Sequence, residues 1–332
     1  MKMGIFKKKE LKIGLALGSG AARGLAHIGV LKVLIEEGIP IDYISGSSMG
    51  ALVGAYFASK GEVTTLEEMV LGIDWRKLAR LIDPNLIFML RGLIHGQKIK
   101  ELLQVIIGDV EFKDLKIPLA IVATDTNTGE EVIIKEGSVI EAVRASISMP
   151  AIFMPVKYGR RFLIDGGVVN PVPAGVVRNM GATFVIACNV IRKLKRNKSM
   201  QVHRRKESFK PISKSQVKKD VISLNGRLNR IIQKINFKDF WKAFATFQAK
   251  VQNKVRRIDP NTPNIFEVLI QSVYLMEYEI AKLKAKEADI VITPNVSNLK
   301  VLDFYQRKEV IIKGFEAAKR VLPNIRKSVK SL

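Results

Sequence analysis

The sequence predicts an α/β fold on a mainly parallel sheet, and three observations predict it. Residues 11–17, Leu-Lys-Ile-Gly-Leu-Ala-Leu, read as an apolar strand that enters a glycine-rich turn and then a helical pattern from Leu25 to Gly38. Residues 41–54 repeat that order of strand, sharp turn and small-residue helix. Apolar strands and helical periodicity then keep alternating to residue 190, the pattern of crossover connections between parallel strands. With 332 residues, 47% of them hydrophobic, the chain has core enough for one large α/β domain or two smaller ones.

The first turn is Gly18-Ser19-Gly20-Ala21-Ala22-Arg23-Gly24. Between a strand and a helix, such a turn presents backbone N–H groups at a helix N-terminus, suited to a dinucleotide pyrophosphate or to an oxyanion. The dinucleotide reading needs an acid at the end of the second strand, about 20 residues past the glycines. Asp42 stands at the start of that strand instead. The oxyanion reading needs a neighbouring nucleophile at the same sheet edge, and the second turn supplies one.

That second turn is Gly46-Ser47-Ser48-Met49-Gly50. It is G-x-S-x-G between a strand and a helix, the context in which the motif forms a nucleophile elbow. The backbone at the serine is strained, and strand and helix pass close to it, so side chains at 46 and 50 would clash. The turn lifts Ser48 to a helix N-terminus, where N–H groups and the helix dipole favour developing negative charge.

Helical patterns follow at 66–81 and 98–107, separated by the apolar run Leu86-Ile87-Phe88-Met89-Leu90 with Gly92 and Gly96 nearby. That run fits an acyl pocket or lid, and fits the core equally well. Residues 117–124 are a buried strand, 125–129 a turn, and 131–135 a strand pairing back. A short helix covers 139–146, and a strand at 161–164 delivers Asp165-Gly166-Gly167. An acid at a strand's carboxyl end lies where α/β sheets bind ligands, although aspartate is also an ordinary turn residue. A helix at 172–180 and a strand at 183–190 follow.

The formal net charge of +24 points to an anionic partner. From Arg192 to Arg257 there are 21 Lys and Arg against Glu207, Asp220 and Asp239, or +18 of the total. Residues 192–219 lack apolar periodicity and read as a mobile loop. In 221–257, Val221, Leu224, Leu228, Ile231, Trp241, Phe244 and their neighbours recur at roughly helical spacing among basic residues. A basic amphipathic helix of this kind suits a membrane interface, and suits a helix packed on the domain with a solvated basic face. Ordinary composition then returns, with a helix at 266–286, a strand at 288–293 and a closing helix at 304–321. The single cysteine, Cys188, reads as a small buried residue of a reducing compartment. No secretory h-region follows the N-terminal lysines, and no run of about 18 uncharged apolar residues occurs, so neither a signal peptide nor a transmembrane helix is expected.

The residues 18–31 from the first turn into its helix, then Gly46 to Gly50, then Asp165-Gly166-Gly167, are together similar to the three signatures of bacterial patatin-like phospholipases. Residues 124–129, 144–150, 170–173 and the stretch from 288 to Phe304 resemble the family as well. The resemblance covers 11–190 and about 266–320, and the basic stretch lies outside it. It implies a three-layer α/β/α fold divided as a basic tail (1–10), a catalytic core (11–190), a basic insertion (191–265) and a completion of the core (266–332). It also implies a serine–aspartate dyad without histidine. The three histidines are His27, His95 and His203, and none sits after a late strand, where an α/β-hydrolase base belongs. His27 lies in the first helix and reads as structural.

On this reading Ser48 attacks an ester carbonyl, and Asp165 takes and returns the proton. The N–H groups of Gly20, Ala21, Ala22 and Met49 hold the oxyanion, and water releases the acyl group with no metal or organic cofactor. Gly18, Gly24, Gly46, Gly50, Gly166 and Gly167 shape the turns, and Arg23 adds positive charge or holds its turn by a salt bridge. Ser19 and Ala21 stand where the family often has glycine; an N–H donor survives Ala21 as long as that position does not need a positive φ. The implied substrates are acyl esters of phospholipids or lysophospholipids, and the basic stretch would add an anionic membrane surface as partner. That places the protein in the cytoplasm, peripheral to the inner face of the membrane. An acyltransferase using the same acyl-enzyme, or a non-catalytic scaffold binding membrane or nucleic acid, is the alternative. No nucleic-acid reader motif supports the last.

Overall fold

The structure is a computed structural model that describes residues 10–72, 96–150, 152–192, 265–299 and 304–331. The N-terminal lysines, the run Leu86–Leu90, His95, His203 and the basic stretch beyond Arg192 lie outside the described residues.

The chain opens with β1 (Ile13–Leu17), wholly buried, then a short 3₁₀ turn (Ala21–Leu25) and α1 (Ala26–Glu36). Next come β2 (Tyr43–Ser47), α2 (Met49–Lys60), α3 (Thr64–Gly72) and α4 (Gly96–Ile106). β3 (Leu119–Asp125), β4 (Glu131–Ile134) and α5 (Val139–Ser146) follow, with the Ser138 hydroxyl capping α5 at the Glu141 N–H. The described N-terminal part closes with β5 (Val156–Tyr158), β6 (Arg161–Asp165), α6 (Ala174–Asn179) and β7 (Phe184–Cys188). After the basic stretch come α7 (Ile265–Lys284), β8 (Ile290–Ile292) and α8 (Arg307–Ser331).

The eight strands form one sheet, hydrogen-bonded in the order β5-β6-β3-β2-β1-β7-β8, with β4 also paired to β3. The strands β3, β2, β1, β7 and β8 are mutually parallel, while β4, β5 and β6 add antiparallel pairs. The sheet is therefore mixed, with a parallel heart. Strands buried on both faces read as continuous apolar runs, and β1, β3 and β7 do so at every position.

The alternation of β3 shows the three layers. Leu119, Ile121 and Ala123 join the large core formed with α1, α2, α5 and α8, whereas Ala120 and Val122 meet Val176 of α6 on the other face. Helices α1 and α8 cross so closely that side chains at Gly29 and Gly314 would strike the opposing backbone, Ile311 and Ala26 respectively.

Two elements differ from expectation. The short β5 gave no signal of its own in the sequence. The closing helix runs ten residues past Val321, with Pro323 inside it. A proline within a helix costs about 3 kcal/mol. Here Leu322 and Ile325 are buried, and burying two such side chains contributes about 1.5–3 kcal/mol each, enough to carry the helix through. Among the described residues no helix is long and apolar enough to cross a membrane.

Candidate active site

Ser48 stands between β2 and α2 with φ 54° and ψ −122°, a conformation L-residues rarely adopt. Such a residue costs about 1–3 kcal/mol, and its surroundings hold it. The Ser48 N–H donates to the Ser146 hydroxyl at the end of α5 (2.8 Å), and the Ser48 carbonyl accepts from Ala51 (2.9 Å) and Leu52 (3.2 Å) to start α2. A Cβ at Gly46 would lie 2.6 Å from the Ala51 Cα, and one at Gly50 would run into the Leu17 carbonyl. The steric need for both glycines is thus specific to neighbours on β1 and α2.

Asp165 reaches Ser48 by a route the sequence did not suggest. The register pairs β2 with Leu119–Val122 and β6 with Ala123–Asp125, while β4 runs along Ile121–Thr124. Because β4 occupies one edge of β3, β2 and β6 share the other edge end to end. They run in opposite directions and meet where Ser47 pairs with Val122 and Asp165 with Ala123. Asp165 therefore stands at this edge as the end of an antiparallel strand, and not at the carboxyl end of a parallel one.

The two side chains touch. The Ser48 hydroxyl donates to Asp165 Oδ2 at 2.6 Å, and Asp165 Oδ1 accepts the Gly167 N–H at 2.8 Å. The Asp165 backbone is pinned too, its N–H to the Ser148 carbonyl (2.9 Å) and its carbonyl to the Thr124 hydroxyl (2.8 Å). Both side chains are buried. Burial pushes the Asp165 carboxyl up to about 6, against the lowering effect of the Ser48 and Gly167 hydrogen bonds. Gly166 and Gly167 are close-approach positions: a Cβ at 166 would strike the Val122 carbonyl, and one at 167 the Ser19 hydroxyl.

The glycine-rich turn lies directly against the elbow. A Cβ at Gly24 would be 2.5 Å from the Met49 side chain, and the Gly18 N–H donates to the Cys188 carbonyl of β7 (3.0 Å). The first bond of the 3₁₀ turn runs from the Arg23 N–H to the Gly20 carbonyl (3.0 Å), so the N–H groups of Gly20, Ala21 and Ala22 have no partner within it. The Met49 N–H at the start of α2 is likewise free of an intrahelical bond. Ala21 has φ 47°. The position does need a positive φ, and alanine occupies it at a cost of roughly 1 kcal/mol.

Arg23 sits in its turn, but no salt bridge holds it among the described residues. It is fully buried. Its Nε–H donates to the Leu299 carbonyl at 2.9 Å, Nη2 reaches the same carbonyl, and Nη1 bonds the Tyr274 hydroxyl. The guanidinium also lies over the Tyr274 ring at 4.8 Å. The Tyr274 hydroxyl in turn donates to the Arg192 carbonyl (2.7 Å) and accepts its N–H (3.0 Å). His27 is structural in its geometry: its Nε2–H donates to the Gly18 carbonyl (2.7 Å), and burial pushes its pKa down to about 4, so the ring is neutral. Cys188 is buried in β7, and burial pushes its thiol up.

Sequence reasoning missed the supports. Ser146 and Ser148 sit in a stretch already singled out, where two serines end a short helix. Tyr274 and Glu277 gave no signal, because on an amphipathic helix they look like any aromatic and any acid. Glu277 is buried, and its carboxyl lies with the Ser19 hydroxyl beside Gly167.

A strained serine at a strand-to-helix turn, bonded to a buried aspartate beside N–H groups that have no partner within their own turn, places this α/β chain in the class of serine-elbow proteins. The family model described as patatin-like phospholipase matches residues 15–178, and this part of the chain belongs to that family. An uncharacterized NTE family protein of Mycobacterium tuberculosis is 37% identical over 179 residues, 54% of this chain and 49% of that one. The neuropathy target esterase sws of Drosophila melanogaster is 38% identical over 186 residues, 54% of this chain and 13% of that one. The human patatin-like phospholipase domain-containing protein 6 is 34% identical over 184 residues, with the same two shares. The chain thus spans about half the length, or less, of the curated relatives it matches. Among solved structures, VipD from Legionella pneumophila superposes at a TM-score of 0.48 and 13% identity, over 96% of this chain and 67% of that one.

Proposed function

We propose that the chain is a serine acyl hydrolase that cleaves ester-linked acyl chains of phospholipids or lysophospholipids. The observation that carries this reading is the 2.6 Å hydrogen bond from the Ser48 hydroxyl to Asp165 inside a buried site. Ser48 Oγ attacks the acyl carbonyl while Asp165 Oδ2 accepts its proton. The carbonyl oxygen becomes an oxyanion facing the N–H groups of Gly20, Ala21, Ala22 and Met49, where each donor is worth about 3–4 kcal/mol of barrier. Asp165 returns the proton to the leaving alcohol, and water attacks the acyl-enzyme by the same path in reverse. A carboxyl raised to about 6 is a better base than an ordinary aspartate and is still ionised at neutral pH. Support for a lipid ester as substrate comes from the family's description and from the esterase in a relative's name. The basic stretch 192–257 supplies the approach to an anionic membrane face.

Labelling with a fluorophosphonate probe and mapping of the modified peptide tests the dyad. Wild type is expected to label at Ser48, Ser48→Ala not at all, and Asp165→Asn far more slowly. A folded wild type that stays unlabelled, with anionic vesicles present, would overturn the reading in favour of a scaffold. Sedimentation with vesicles tests the surface: binding is expected to anionic vesicles, weakened by salt, and equal binding to zwitterionic vesicles would sink the membrane role.

A further inference from the structure

Three acids are buried among the described residues: Asp125, Asp165 and Glu277. Asp125 has Arg161 at 3.6 Å and the Asn127 N–H at 2.9 Å. Asp165 has Ser48 and Gly167. Glu277 lies beside Gly167 and has, among the described residues, no ion pair.

Its position is specific. Tyr274, Glu277 and Ala281 form the buried stripe of α7, which packs on the turn that follows Asp165. A Cβ at Gly167 would meet both the Ser19 hydroxyl and Glu277 Oε1 (2.9 Å), so the three groups converge at one point between the glycine-rich turn and the Asp-Gly-Gly turn. The Gly167 N–H donates to Asp165 Oδ1 (2.8 Å), so the carboxyls of Asp165 and Glu277 flank the same glycine.

Among the described residues, the cations on the surrounding elements are engaged elsewhere. Arg23 bonds Leu299 and Tyr274, the Arg192 guanidinium donates to the Thr293 carbonyl (3.0 Å), and His27 is neutral. Tyr274, one turn earlier on α7, is held neutral by burial. An acid so placed is stable in its protonated form. Burial first, and the Asp165 charge second, push Glu277 up to about 8.

We propose that Glu277 is a positioning residue that works as the neutral acid: packed where the glycine-rich and Asp-Gly-Gly turns meet, it stays uncharged and leaves Asp165 the single anion of the site, so that its ionisation sets the alkaline limit of Ser48 acylation. This rests on the Ser48–Asp165 reading given above. An ionised Glu277 would put a second negative charge beside the base and near the forming oxyanion, opposing both proton return and oxyanion formation.

The test is the pH dependence of kcat/KM on a soluble 4-nitrophenyl ester, and of fluorophosphonate labelling, in wild type and Glu277→Gln. Wild type is expected to rise as Asp165 ionises and fall as Glu277 ionises. Glu277→Gln is expected to keep the acid limb and lose the alkaline one, running about tenfold faster than wild type one pH unit above the wild-type limit. An alkaline limb unmoved in Glu277→Gln overturns the proposal, as does a wild type with no such limb.

A second measurement needs neither activity nor that variant. In wild type grown on ¹³C-glutamate, infrared titration is expected to show one protonated glutamate band persisting far above the ordinary glutamate range. Its midpoint is expected to move down in Asp165→Asn. Absence of the band overturns the proposal. A band in a protein that never labels at Ser48 would instead overturn the reading of the site, and the alkaline limit with it.

Discussion

Residues 15–178 and residues 265–331 contribute to the same site in different currencies. The first region places atoms with its backbone: a strained serine, N–H groups without a partner in their own turn, and two strands that meet end to end so that Ser48 and Asp165 touch. The second places long side chains and a carbonyl: Tyr274 and Leu299 hold Arg23, and Glu277 packs beside Gly167. The family match covers the first and stops short of the second. The difference teaches that the contact of Ser48 with Asp165 is built within the first region, while side chains of the second pack around it.

The largest effect should come from breaking the chemistry inside the first region. Ser48→Ala is expected to abolish turnover, and Asp165→Asn to lower kcat/KM by about 10³–10⁴-fold. Neither should lower the melting temperature. Asp165→Asn removes a buried charge whose pKa is raised by desolvation, so its stability at neutral pH is expected to hold or rise. A variant that loses activity by unfolding would show that the dyad is structural.

Next is the contact between the regions. Arg23→Lys keeps the charge but loses the fork that serves the Leu299 carbonyl and the Tyr274 hydroxyl together. The expected loss is about 2–4 kcal/mol of stability, from a buried cation left short of partners. Turnover should fall about 10–100-fold, through a loosened glycine-rich turn, with labelling still at Ser48. A stability unchanged from wild type would mean that α7 does not clamp the turn.

What was legible in the sequence follows the same division. The strands, the two turns and their glycines could be read because backbone geometry restricts residue type: Gly46 and Gly50 are there for lack of a Cβ. The meeting of Ser48 with Asp165 was legible only as a pairing of motifs. Its cause, an antiparallel β6 sharing an edge with β2, requires the register, and nothing in residues 161–165 states direction. Arg23 was visible as a motif residue, but its partners lie 251 and 276 positions away. Glu277 was invisible, because burial turns an ordinary helical acid into a neutral group and burial of one face of α7 is a tertiary fact. The last ten residues of the closing helix were not read for the same reason, the local cost of Pro323 being outweighed by packing.

A smaller effect is the pH dependence of stability. Glu277 is raised from an ordinary 4.5 to about 8 in the folded chain. Between those values the unfolded chain has released its proton and the folded chain has not, so stability falls as pH rises through that window. Asp165 adds the same sign between 3.8 and about 6. In Glu277→Gln the decline of melting temperature with pH should be shallower than in wild type, the difference accumulating from about 4.5 to about 8. Parallel curves would mean that Glu277 is ionised in the fold.

The smallest effect concerns Ala21, where the first region departs from the glycine its family often places there. At φ 47° an alanine costs roughly 1 kcal/mol in the folded chain, and a glycine there would lose more freedom on folding by about 0.4–1 kcal/mol. The two nearly cancel, which is a physical reason that alanine can occupy the turn at all. Ala21→Gly is therefore expected to change stability by less than about 1 kcal/mol, in the stabilising direction, and turnover by less than about twofold. Ala21→Val, with a branched Cβ at the same positive φ, should lose about 2 kcal/mol or more. Combined with Arg23→Lys, the glycine variant sharpens the comparison further. If side chains from 265–331 hold the turn against its own strain, removing that strain should recover part of the turnover that Arg23→Lys loses. Additive losses would assign the geometry of the turn to the first region alone.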